Sequence, residues 1–152
     1  MNLERYPIKA SADFQEFKFI SIGPKGEIKK MVRFTEMPVA DSVLRIYNLA
    51  FGDYSEEKEN LIDDLIVSDN KDPQRILATV AEAVITFTNK RPGAFVFAQG
   101  NTPARARYYA MGVAANLPEL EKMFDIWGTL DGNGWELFQR NRRYEALLAK
   151  RR

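Results

Sequence analysis

Residues 72–99 read DPQRILATVAEAVITFTNKRPGAFVFAQ, and the fold turns on how this stretch divides. Asp72-Pro73 opens a helix. Aspartate is a good N-cap, and proline at the first helical position gives up an N–H that has no intrahelical partner anyway. Ile76, Leu77, Val80, Val84 and Phe87 then recur at helical spacing, the apolar stripe of a helix laid on a core. Asn89 and the breaker Arg91-Pro92-Gly93 end it. Ala94–Gln99 (AFVFAQ) is apolar on both faces and reads as an interior strand. Leu61–Ser68 (LIDDLIVS) reads as a strand ahead of the helix. Strand, helix and buried strand form a crossover unit, which predicts that 61–68 and 94–99 run parallel with a right-handed connection.

Working outward, Phe14–Ile22 (FQEFKFISI) is rich in aromatic and β-branched residues, and Gly23-Pro24-Lys25-Gly26 is a turn. Glu27–Thr35 makes the partner strand of a hairpin. Val43–Phe51 (VLRIYNLAF) is a third strand, ended by Gly52-Asp53. On the other side, Thr102-Pro103 repeats the cap grammar and opens a second helix to about Asn116, stopped by Leu117-Pro118. Phe124–Leu130 and Trp135–Phe138 read as closing strands around Asp131-Gly132-Asn133-Gly134, and the tail as a short helix docking Tyr144, Leu147 and Leu148. The order is β-β-β-β-α-β-α-β-β. This is an α+β fold: a mixed, mostly antiparallel sheet with two covering helices, in a single domain over 1–152 with a basic tail at 139–152.

The 152 residues carry 22 basic and 21 acidic side chains, a net charge of +1. With 45% hydrophobic residues the chain can bury a core without disulfides or metals. Cysteine and histidine are both absent. That excludes disulfides, zinc fingers, thiol nucleophiles, Ser-His-Asp triads and histidine acid–base chemistry, so we expect no metal site. No apolar stretch reaches membrane-spanning length, and the N-terminus lacks a signal-type apolar segment, so the expected location is the cytoplasm. Charge is unevenly spread: 53–64 holds six acidic residues and 139–152 six basic ones. These are either a solvated loop and tail, or a docking loop and a nucleic-acid contact.

Asp, Glu, Lys and Tyr remain as acids and bases. Asp63 and Asp64 are strand neighbours pointing to opposite faces, so they do not share one proton. The second helix is more informative. Thr102 caps it, and its first turns carry Arg105 and Arg107, which oppose the helix macrodipole. A negative partner is required: Asp63 or Asp64 from within, or a bound anion at the helix N-terminus. Arg105 and Tyr109 are four apart and share a face, whereas Arg107 lies elsewhere. Asn101, Thr102, Arg105 and Tyr109 are the candidate ligand- or anion-binding residues.

Asn101, Ala104, Tyr108 and Gly112 in GNTPARARYYAMGV match a segment, Asn-x-x-Ala-x-x-x-Tyr-x-x-x-Gly, of the GCN5-related N-acetyltransferases, and the second half of the chain resembles that family's layout. The resemblance implies that Tyr108 is a general acid reprotonating the coenzyme A thiolate, with Asn101 beside the pantetheine arm. The family's pyrophosphate loop is glycine-rich. Here its place reads Ser68-Asp69-Asn70-Lys71-Asp72-Pro73-Gln74-Arg75, with no glycine and two carboxylates. An anion site needs free N–H groups and no competing carboxylate, so we expect no coenzyme A binding. The whole chain also resembles an uncharacterised family of small bacterial proteins. The likeness rests on the opening NLERYPIKAS, NLAFGD, DD-x-x-x-S, G-x-T-x-A-R-x-R-x-Y and YEALLAKR.

The expected function is a non-catalytic binding or regulatory module with an acetyltransferase-like sheet, without cofactor, taking a protein partner or a small anionic ligand. One alternative is an acyl-coenzyme A-dependent N-acyltransferase using Tyr108. The other is a nucleic-acid binder working through the basic tail and aromatic stacking.

Overall fold

A computed structural model describes residues 4–38, 43–57, 61–63 (backbone only), 69–100 and 102–152. The strands are β1 (Lys9–Ala10), β2 (Glu16–Gly23), β3 (Gly26–Met37), β4 (Ile46–Ser55) and β5 (Leu61–Asp63), then β6 (Phe95–Gln99), β7 (Phe124–Thr129), β8 (Glu136–Leu137) and β9 (Ala146–Arg151). Helix α1 (Pro73–Lys90) lies between β5 and β6, and α2 (Pro103–Ala115) and α3 (Leu117–Met123) lie between β6 and β7. The described residues form one nine-stranded sheet in the order β1-β2-β3-β4-β6-β9-β7-β8, with β5 on β4. The parallel pairing is β4 with β6, and every other strand pair is antiparallel. The fold is α+β, with a mixed, mostly antiparallel sheet, as expected.

Three expectations are corrected. First, residues 61–63 do not pair with β6. They turn back along β4, with Tyr54 opposite Ile62, while Ile46–Asn48 of β4 pair with Phe95–Phe97. The crossover therefore starts from β4, and residues 64–68 lie outside the described residues. Gly52-Asp53 does not end that strand, because a hairpin return gives the extra residues a partner. Second, the tail is not a docked helix. Ala146–Arg151 is an inner strand, hydrogen-bonded to β6 on one side and β7 on the other. ALLAKR is rich in good helix formers, but two strand edges that each need a partner outweigh that preference. Third, Leu117-Pro118 ends α2 and also begins α3, because proline fits the first turn of a helix as well as it ends one.

The core lies between the sheet and the helices. Alternation along the strands turns Phe17 and Phe19, Val32 and Phe34, and Tyr47, Leu49 and Phe51 to the helix side. Phe87 of α1 stacks on Phe34 at 4.1 Å and meets the edge of Tyr47 at 4.9 Å. Each fully buried ring of this kind is worth roughly 1.5–3 kcal/mol of transfer free energy. Tyr6 joins the N-terminal segment to α1: its N–H donates to Thr79 Oγ1 at 2.9 Å, and the Thr79 hydroxyl donates to the Arg75 carbonyl at 2.7 Å.

Candidate functional site

The N-terminus of α1 is the first place a ligand could sit. Asp72 occupies the N-cap position, but its side chain makes no capping hydrogen bond, contrary to expectation. Its Oδ2 instead accepts from the Ser21 hydroxyl at 2.6 Å and from the Tyr6 hydroxyl. Those donors stand on the sheet side, and a charge-assisted bond to a hydroxyl outweighs a cap bond at a helix end open to water. Asn70 is buried beside it. Its amide donates to Ser21 Oγ at 3.1 Å and to the Gly26 carbonyl at 3.0 Å, and it accepts from the Lys25 N–H at 2.8 Å. Gly23 permits this approach, since a Cβ there would stand 2.1 Å from the Asn70 carbonyl oxygen. The turn before α1 is thus tied to the β2–β3 hairpin by its own side chains.

The N-terminus of α2 lies where β4 and β6 part. The two strands pair over Ile46–Asn48, and β5 joins the same edge of β4 at Asp53–Ser55. Between them, Leu49–Gly52 pairs with β3 on its other edge but has no partner on this one among the described residues. Thr102 caps α2 as expected, accepting from the Arg105 N–H at 3.1 Å. Arg105 is buried, 4% exposed, with its guanidinium 5.3 Å from the centre of the Phe51 ring. Lys30, 3% exposed, approaches the same ring and pairs with Asp53 at 2.5 Å. Composition and spacing did not single out this buried pair. Its signal was Lys30 on the strand face that also carries the buried Val32 and Phe34. Asn101, Asp64 and the side chain of Asp63 lie outside the described residues.

The two tyrosines separate. Tyr109 packs in the core, 8% exposed, under the helices. Tyr108 is half-buried, and its hydroxyl donates to the Pro73 carbonyl at 3.5 Å. Burial, helped by the Asp72 carboxylate, holds the Tyr108 hydroxyl well above the usual tyrosine range. That makes it a weaker acid. Arg105 and Tyr109 share a face, as expected, but the face is turned inward.

The opposite side of α2 borders a groove of about 760 Å³. Ala106, Ala110, Met111 and Ala114 line one wall, and Phe138 and residues 141–145 the other. Arg107 stands on the helix wall, Arg142 and Arg143 on the facing segment. Arg142 pairs with Glu136 at 2.9 Å, and Glu136 also accepts from the Tyr144 hydroxyl at 2.8 Å. Arg140 donates to the Ala114 carbonyl at 3.2 Å, joining the two walls. Arg107 and Arg143 are exposed and make no hydrogen bond or ion pair among the described residues. Sequence reasoning placed these arginines in separate features, a helix and a tail. Only the return of the chain through β9 brings them to one groove.

Among the described residues no three carboxylates are grouped to hold a metal ion. No described helix is long and apolar enough to cross a membrane. A family model described as "Family of unknown function (DUF6934)" matches residues 2–152, in agreement with the whole-chain resemblance. No curated protein and no solved structure matches the chain, so the acetyltransferase likeness rests on the residues quoted for it.

Proposed function

The chain belongs to the DUF6934 family of unknown function, and from that premise we propose that it is a non-catalytic binding module whose groove beside α2 receives an acidic segment of a protein partner. One observation carries this reading. Arg107 and Arg143 stand exposed on a groove whose lining mixes small and apolar residues with Thr102, Asn141, Arg142 and one acidic residue, Glu145, and neither arginine has an internal partner among the described residues. Cations left unpaired beside apolar surface favour a ligand that brings both carboxylates and apolar side chains. Two further features support a module over an acyltransferase. The turn before α1 is occupied by Asn70 and Asp72, and Tyr108 is held as a weaker acid.

Fluorescence anisotropy with a labelled peptide of glutamate and leucine tests the reading. The native chain should bind at about 50 mM salt and weaken as salt rises. Arg107→Glu with Arg143→Glu should lose at least tenfold in affinity. Equal binding by the double variant, or none by the native chain, overturns the proposal. Competition by single-stranded nucleic acid stronger than by peptide would favour the nucleic-acid alternative.

A further inference from the structure

On its core side, α2 borders a second hollow. A cavity of about 110 Å³ lies between the three helices and the sheet. Its floor includes Val96 and Ala98 of β6 and Ala149 of β9, and its roof includes Ala81 of α1, Gly112 of α2 and Leu120 of α3. No charged residue lines it, and Tyr109 brings the one side-chain hydroxyl. The cause is readable in the sequence. Cores fill by setting large side chains against small ones. Here Ala98 and Ala149 on the sheet and Ala81 and Gly112 on the helices bring four small residues to one lining, and a gap remains. Ala81, Val84, Gly112 and Val113 on the helices and Ala98 and Ala149 on the sheet are half-buried, so the cavity lies near the surface.

We infer that this cavity is a binding site for a small apolar molecule, separate from the groove. Water is a poor occupant, because it needs two to four polar partners. An apolar lining around a void forfeits dispersion contacts that a hydrocarbon restores. Apolar cavities of about 150 Å³ stay dry and take benzene or xenon. A volume of about 110 Å³ selects ligands of that size or a little smaller: a compact hydrocarbon group without charge. The occupant would touch the wall of α2 opposite the peptide groove, but the site does not depend on the groove being used.

The test uses xenon and benzene on the full chain. Xenon-129 magnetic resonance should show a protein-dependent shift that saturates. Benzene at about ten times its dissociation constant should raise the melting temperature by about 3–6 °C. Ala98→Leu fills the space and should abolish both effects, whereas Leu120→Ala enlarges it and should tighten benzene binding. Met111→Ala, on the groove side, should change neither. An unshifted xenon signal with the native chain overturns the inference without any variant. So does an Ala98→Leu chain that folds and responds like the native one.

Discussion

Tyr108 and Tyr109 are adjacent, and one helical step of about 100° sends one ring into the core and leaves the other beside Pro73. The consequence for Tyr108 is measurable. In the unfolded chain a tyrosine ionises near pH 10. In the folded chain burial and the nearby Asp72 hold that proton more tightly. The folded state therefore favours the neutral phenol. The contribution to stability is intact below about pH 10 and is lost progressively as pH rises above it toward the folded value. Urea melts from neutral to alkaline pH should show this fall, and Tyr108→Phe should make it shallower. An identical alkaline slope in the variant would mean that Tyr108 is not held in this way. Asp72 makes a related point. A good N-cap residue sits at the cap position, yet its carboxylate serves Tyr6 and Ser21. Residue type set where the helix begins, and the neighbouring hairpin set what the side chain bonds to.

Among the elements, α2 is unusual in having open space on both sides, and its glycine reports on this. A Cβ on Gly112 would stand 2.9 Å from Leu77 Cδ2, the far end of a flexible side chain that itself borders the cavity. Leu77 has room to yield, and alanine gains about 1 kcal/mol of helix propensity. Gly112→Ala should therefore be neutral to mildly stabilising, by up to about 1 kcal/mol. Gly128 in β7 faces the opposite case. A Cβ there would lie 2.4 Å from the Tyr144 ring. That ring is held by hydroxyl bonds to Glu136 and to the Gln139 N–H. Gly128→Ala should cost roughly 1–3 kcal/mol or more, the range for overpacking a core. Thermal melts of the two variants compared side by side check the pair. A strongly destabilised Gly112→Ala would mean that Leu77 has nowhere to go.

At the scale of the molecule, the last strand closes the sheet. β9 sits between β6 and β7, so removing it leaves two inner edges and a large part of the helix-facing core open to water. A chain ending at Phe138 should lose its cooperative unfolding transition and aggregate, seen by circular dichroism and gel filtration. If that fragment folds cooperatively, β9 is dispensable and the sheet order is wrong. The same placement changes the meaning of the basic tail. Arg142 pairs with Glu136, Arg151 bonds Asn89, Arg152 pairs with Asp125, and Lys150 lies over the Phe95 ring. A block of six basic residues read as one patch in sequence is divided among both walls of a strand and a loop. That division favours a groove for a defined acidic partner over a general polyanion surface.

The sequence alone determined the class of fold, the hairpin of β2 and β3, the place of α1, the interior strand β6 and the cap of α2. These follow from local rules: apolar period, turn residues, and Pro after a capping residue. It also determined, through absent cysteine and histidine, much of the chemistry that this chain cannot perform. Tertiary structure decided the partner of β6, the identity of the tail as a strand, the inward face of Arg105 and Tyr109, and the meeting of Arg107 with Arg143. Each of these depends on which edges are left unpaired once neighbouring strands have formed. Local preference counts there for tenths of a kcal/mol per residue, and unpaired buried backbone groups count for roughly 1–3 kcal/mol each.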